Sequence, residues 1–289
     1  MWLVDGKHFA VGSANLDWRS LTQVKELSAI VKDCPCYGED LAKIFQVYWD
    51  LGQPDAEIPS HWPSSLSTNF NKDSPLKLMM NNTETETYLS SSPPMFCPDG
   101  RTGDLDAILD VMDKAKKFID VSVMTYLPFE EFSEPRSFWN AIDAKLRAMA
   151  FNKRVKVRLM TGYWEHTDSA TAGFLQSLAA LNNTHVMNVE VKRFVVPLNH
   201  FPVPYSRVNH CKFMVTDNAA YVGTSNWARD YFTDTGGVGF IINNTATTHE
   251  ASESSSSFQL QLRAVFERDW SSHYAYPVIV PELNMTGQL

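Results

Sequence analysis

Hydrophobic and polar positions along the chain follow two alternating periods. Short apolar, β-branched runs recur at residues 27–31, 76–80, 118–126, 155–160, 189–196, 213–216, 221–223 and 237–242, and each reads as a strand. Between them the apolar positions recur every three or four residues. Residues 38–51 form one such helix, with Phe45 and Trp49 on a single face. A second is opened by Asp104 as its cap and carries Leu105, Ile108, Leu109 and Met112 inward. Residues 137–150, with Phe138, Ile142, Leu146 and Met149 inward, residues 169–181, and a last stretch ending at Trp270 complete the helices. Residues 52–75, with Pro54, Pro59 and Pro63, read as a linker. Residues 81–103 read as a polar loop followed by a Pro-rich segment, and residues 243–257 as a Ser/Thr-rich loop. Strands alternating with helices predict an α/β protein, built on a mixed, largely parallel sheet with helices on both faces.

Composition narrows the functional classes. At 289 residues and 44% hydrophobic, the chain can bury a substantial core. Its net charge of -8 argues against a protein that grips many phosphates of duplex nucleic acid, although a narrow basic slot on an acidic body remains open. No apolar run reaches the roughly 18 residues of a membrane span. The four cysteines, Cys34, Cys36, Cys97 and Cys211, are too scattered for a zinc site, and no metal or cofactor is expected. Cys34-Pro35-Cys36 spans too little for a comfortable mutual disulfide, so each either pairs elsewhere or stays a free thiol. Asn81, Asn182, Asn243 and Asn284 each begin a glycosylation sequon, which fits a secretory or lysosomal lumen.

The candidate chemistry is concentrated in Val208-Asn209-His210-Cys211-Lys212 and the strand after it, closed by Asp217 and then Gly223-Thr224-Ser225-Asn226-Trp227. Residues two apart on a strand share a face, so His210 and Lys212 project together while Cys211 and Phe213 turn into packing. The returning strand brings Thr224, Ser225 and Asn226 beside them. An imidazole, an ammonium and a carboxamide in one small volume suit a phosphoryl group. The pattern also repeats. Val4-Asp5 to Ala14-Asn15, with Ser13, parallels Thr216-Asp217 to Ser225-Asn226, and Phe45 with Trp49 parallels Phe266 with Trp270. Lys212 lies five residues before Asp217, and five before Asp5 falls one position upstream of Met1. The first His-x-Lys is therefore expected outside the printed sequence. Residues 1–52 would be the remnant of a first half, 53–75 the linker, and 76–289 a complete second half. Glu26, polar just before an apolar run, could orient a catalytic histidine. Asp234 is its candidate counterpart in the second half. Tyr126, Trp164 and His166, at strand ends, could stack on a base or a lipid headgroup. Asp217 is expected to hold its turn by side-chain hydrogen bonds. His8 and His200 have no assigned part.

His-x-Lys, four residues, Asp, then Gly-Thr-Ser-Asn resembles the phospholipase D superfamily. Gly12-Ser13-Ala14-Asn15-Leu16-Asp17-Trp18-Arg19-Ser20-Leu21-Thr22 and Arg207-Val208-Asn209-His210 are similar to the lysosomal phospholipase D-like proteins of animals. The resemblance implies two pseudo-symmetric halves, the first mostly missing here, and a membrane anchor only in an intact longer chain. It implies a phosphodiesterase working through a phosphohistidine without a metal, on single-stranded nucleic acid or phospholipid. His210 would supply one of two histidines. Lys212, Asn226 and Asn15 would hold phosphoryl oxygens, and Glu26 and Asp217 would support them. Ser13, Thr224, Ser225 and Tyr126 would line the substrate site. Upstream cysteines would partner Cys34 and Cys36, and a homodimer of single-motif chains could complete a site. The competing class is a non-catalytic module that keeps the phosphate pocket alone.

Overall fold

A computed structural model of the chain describes residues 1–80, 83–184, 187–198, 203–244 and 257–280. In chain order its elements are β1 (Trp2–Val4), β2 (His8–Gly12), α1 (Trp18–Gln23), β3 (Ser28–Val31), α2 (Pro35–Leu51), β4 (Leu76–Met80), β5 (Thr83–Ser92), β6 (Thr102–Gly103), α3 (Asp104–Lys114), β7 (Phe118–Val123), α4 (Ala141–Asn152), β8 (Lys156–Gly162), α5 (Thr171–Ala179), β9 (Val189–Phe194), β10 (Lys212–Thr216), β11 (Ala219–Gly223), α6 (Asp230–Thr233), β12 (Gly237–Asn244), α7 (Phe258–Trp270) and β13 (Ala275–Pro277). The strands form a three-stranded sheet, β1-β2-β3, and a ten-stranded sheet in the order β13-β9-β8-β7-β10-β11-β12-β5-β4, with β6 beside β5.

The sheet is mixed, as expected, but parallel pairing does not dominate. Among the described residues six pairings in the large sheet are antiparallel and three are parallel. The connections decide this. Helices α4 and α5 link β7 to β8 and β8 to β9, giving parallel neighbours, while the short Asp217-Asn218 turn forces β10 and β11 antiparallel. Strand β5 was hidden by its composition: Thr-Glu-Thr-Glu-Thr, then Tyr88-Leu89 and three serines, reads as a loop, yet it lies between β12 and β4. Its buried Thr87 and Ser90 hydroxyls are satisfied by Tyr37 and Asp104.

Helices α3, α4 and α5 cover one face of the large sheet, packing Ile108, Leu146 and Leu175 around Val121 and Met214. On the other face α7, α2 and the small sheet close over Phe213, Val215 and Phe240, with Phe9, Val11 and Leu41 in the same core. Residues 1–52 therefore share a core with the rest of the chain. The stretch 53–75 is no free tether either. Thr68 is buried and donates to Asp40 Oδ1 at 2.6 Å, and Arg101 forks both oxygens of Asp40 at 2.7 and 2.8 Å.

Two side chains point elsewhere than the periodicity predicts. Phe138 is 68% exposed, because α4 begins only at Ala141 and Phe138 precedes it. Asp104 does not cap α3. Gly103 holds the cap position, and the Asp104 carboxylate turns into the core to accept from Ser90 Oγ at 2.7 Å and Tyr221 Oη at 3.0 Å. Burial raises its pKa above the ordinary carboxyl value, against the opposing pull of Ser90, Tyr221 and Ser225. A carboxyl raised in the folded state contributes stability present in acid and lost as pH rises through its folded pKa. Thermal unfolding from acid to neutral pH should therefore show a falling midpoint that Asp104→Asn flattens. Parallel curves for the two proteins would refute the assignment.

Candidate active site

The turns at one end of the large sheet bring the candidate residues together. Strand β10 opens at Lys212, and its register, Phe213 opposite Val222, sets Lys212 level with the turn that carries Asn226. Cys211 and Phe213 enter one core while Met214 enters the other, so Lys212 and Met214 share a face. Gly162 ends β8 beneath the site. A Cβ there would lie 2.8 Å from Asn209 O and 3.1 Å from Met124 O, which leaves room only for glycine.

His210 is held by a segment 184 residues earlier in the chain. Lys25 N donates to Val208 O at 3.0 Å and His210 N donates to Lys25 O at 2.9 Å, so residues 25 and 26 run beside 208–210. The Lys25 ammonium pins that junction: it pairs with Asp269 at 2.8 Å and donates to Asn209 Oδ1 and Cys211 Sγ at 3.2 Å each. Glu26 then meets His210 Nδ1 with both oxygens at 3.0 Å. Ser13 Oγ at 2.5 Å and Ser20 Oγ at 3.0 Å donate to the same carboxylate. Two hydroxyls orient the carboxylate, the carboxylate orients the ring, and Nε2 is left as the free nitrogen.

Lys212 is buried, and its Nζ donates to His210 O at 2.8 Å. Burial lowers its pKa to about 7, with Glu26, Cys211 and Glu131 pulling the other way. The amine is therefore charged in acid and loses its charge near neutrality. Asn226 is buried behind the cleft. Its Nδ2 donates to Tyr231 Oη at 3.1 Å, and its Oδ1 has no hydrogen-bond partner among the described residues. Asn15, Arg19, Trp164, Tyr205 and His210 line one cleft. At its rim His166 stacks on Tyr205 with centroids 4.8 Å apart, and Trp164 meets His166 edge-on at 4.6 Å.

A family described as "PLD3/4, PLD-like domain" matches residues 1–199. The chain belongs to this family. It is 50% identical over 277 residues to "5'-3' exonuclease PLD3" of Xenopus laevis, covering 95% of this chain and 55% of that protein. It is also 50% identical over 276 residues to "5'-3' exonuclease PLD4" of Homo sapiens, with 95% and 54% covered. The chain thus spans about half the length of the curated relatives it matches. Among solved structures, phosphatidylserine synthase of Haemophilus influenzae superposes with a TM-score of 0.56 at 11% identity, covering 95% of this chain and 61% of that one, a likeness of fold.

Several expected site residues lie away from the cleft. Asp217 lies just past the far end of β10, seven residues and about 23 Å of extended chain from His210. It does not hold its own turn: its Oδ1 accepts from the backbone N–H groups of Lys116 and Lys117 at 3.0 and 2.9 Å, anchoring the start of β7. Tyr126 is core, its hydroxyl donating to Asp143 at 2.5 Å, so it offers nothing to a substrate. Ser225 is buried toward Asp104, and Thr224 Oγ1 accepts from Val238 N at 2.9 Å. Ser13 acts on Glu26 instead of lining the cleft. Asp234 accepts from its neighbour Thr233 at 2.6 Å, and His8 Nδ1 accepts from Asp33 N at 3.1 Å. The four cysteines are free thiols, with Cys34 and Cys36 sulfurs 3.5 Å apart and burial pushing the Cys34 thiol up to about 11. His200 and the sequons at Asn81 and Asn284 lie outside the described residues.

Sequence reasoning missed Ser20, Lys25, Glu131 and Tyr231. Ser20 stands inside the Asp17-Trp18-Arg19-Ser20 run that carried the family likeness, which was its one available signal.

Proposed function

We propose that this chain carries one half of a phosphodiesterase site that works through a phosphohistidine, with single-stranded nucleic acid as substrate. The observation that supports it best is the bidentate approach of Glu26 to His210 Nδ1, which commits that nitrogen and leaves Nε2 to the cleft. In the reaction, Nε2 attacks phosphorus, the bond to the leaving oxygen breaks, and that oxygen takes up a proton. Water then attacks phosphorus, the P–N bond breaks, and His210 is regenerated. Glu26 stabilises the charge that His210 acquires. Lys212, charged in acid, and Asn15 and Asn226 would hold the phosphoryl oxygens. The relatives' names support cleavage of a nucleic-acid strand from its 5′ end. The Trp164, His166 and Tyr205 rings at the rim suit the faces of unpaired bases. The acid requirement of Lys212 fits a lysosomal lumen.

The printed sequence holds one His-x-Lys among its 8 histidines. The second proton carrier would come from a polypeptide segment outside it or from a second copy. The printed chain alone is therefore expected to hydrolyse bis-p-nitrophenyl phosphate in acid at least about a thousandfold more slowly than a polypeptide extended upstream through the relatives' matching segment. Equal rates would refute the two-histidine reading.

A further inference from the structure

The His210 cleft continues into a second lobe lined by Met124, Glu131, Trp164, His166 and Asp168, with Met124 and Trp164 shared between the two. Glu131 is delivered into it by a locked backbone. The Asp230 carboxylate accepts from Glu131 N, from Phe132 N at 2.8 Å and from Ser133 Oγ at 2.9 Å. Leu127 N donates to Trp227 O at 2.9 Å, tying the start of the same loop to the turn after Asn226. The Glu131 side chain is different: its Oε2 is buried without a hydrogen-bond partner among the described residues. The Tyr231 hydroxyl, which also receives Asn226 Nδ2, stands near it. The buried Lys212 ammonium feels Glu131 as well as Glu26. Glu131 thus stands near two of the three groups that would hold a phosphoryl oxygen, Lys212 and, through Tyr231, Asn226.

An ionised carboxylate in that place would repel a phosphodiester and would itself be a buried charge. The groups around it decide its state. Burial, then Asp230 and Asp168, raise its pKa above the ordinary carboxyl value, while Arg136 and Tyr231 act to lower it. Arg136 is already committed to Asp168 at 2.6 Å and Glu134 at 3.4 Å. Lys212 faces it from β10, and His166 lines the same lobe. A protonated carboxyl carries an O–H donor where the ionised form has only acceptors.

We propose that Glu131 is a substrate-contacting residue of this cleft: protonated, it donates a hydrogen bond to an oxygen of the bound phosphodiester, and on losing its proton it repels that group. This rests on the phosphodiester reading above. The test is fluorescence anisotropy of a single-stranded phosphorothioate oligonucleotide, whose charge does not change with pH, bound by the full chain between about pH 4.5 and 6.5, below the range where Lys212 discharges. Glu131→Gln always donates and never repels. Its affinity should equal that of the parent at the acid end, and the ratio of variant to parent affinity should rise about tenfold across the range. Glu131→Ala neither donates nor repels, so its curve should cross the parent's, weaker in acid and tighter toward neutrality, a crossing that misfolding cannot produce. A constant ratio for Gln, or an Ala curve below the parent throughout, overturns the role of Glu131 alone. No binding by the parent at any pH overturns the phosphodiester reading and this inference with it.

Discussion

His210→Ala in the upstream-extended polypeptide is expected to lower phosphodiester hydrolysis by about three to four orders of magnitude. On the phosphohistidine reading the imidazole is the nucleophile; Glu26 meets its Nδ1, and two serine hydroxyls hold Glu26 in turn. Removing the ring leaves Lys212, Asn15 and Asn226 in place, so the loss should fall on kcat while KM changes only a few-fold. Glu26→Gln should show the same signature at smaller size, because it frees the ring without deleting it. Steady-state rates on bis-p-nitrophenyl phosphate in acid measure both, and a quenched reaction should show an acid-labile phosphoenzyme in the parent only. If the alanine variant kept more than about a tenth of the parent's kcat, His210 would not be the covalent group.

The largest effect on stability is expected from Asp40→Ala. Asp40 and Arg101 are a forked pair, 2% and 1% exposed at their side chains, and they join α2 to the strand-and-turn segment before α3, with Thr68 as a third member. Truncating Asp40 leaves a buried guanidinium without its charge partner, which costs about 3–5 kcal/mol. For a chain of this size that lowers the thermal midpoint by about 10 °C. Replacing both partners by apolar residues, Asp40→Leu with Arg101→Met, removes the orphan charge and should recover most of the loss. Circular dichroism melting of the parent and the two variants decides it. A single variant melting within about 2 °C of the parent would show that water already reaches the pair.

Residues 1–52 matter to the site as well as to the core. Glu26, Ser13 and Ser20 all come from this segment, and Lys25 fastens it to the stretch before β10 that carries His210, through Asn209 and Cys211, and to α7 through Asp269. Burial works against that ammonium's charge, but the attraction of Cys211 and Asp269 prevails and its pKa is raised. The catalytic-looking ring and the carboxylate that aims it thus belong to stretches far apart in the chain. They meet only because β2, β3 and α2 pack against the same core as β10 and α7.

Local order along the chain was legible wherever one chemical reason governed it. The β10–β11 hairpin, the two-faced alternation from Cys211 to Val215, and the Phe266/Trp270 ridge of α7 all follow from periodicity, because a side chain's face depends only on its position in a regular element. The family likeness lay in short runs of the sequence. What periodicity cannot supply is the partner on the far side. Phe45 and Trp49 stack at 5.9 Å just as Phe266 and Trp270 do at 5.4 Å, yet the first pair is 47% and 59% exposed while the second is buried. Strand β5 escaped notice because its threonines and serines are satisfied by hydroxyls and carboxylates distant in sequence. Tyr126 and Ser225 were expected in the cleft by position, and the hydrogen bonds they find, to Asp143 and Asp104, took them out of it. Glu131 was silent in the sequence, since a glutamate in a polar loop carries no sign of the buried lobe it enters. The sequence by itself determined most of the elements, the motif and the family; only the tertiary structure decided which polar side chains face one another, because burial and hydrogen-bond partners are properties of packed surfaces and not of neighbours along the chain.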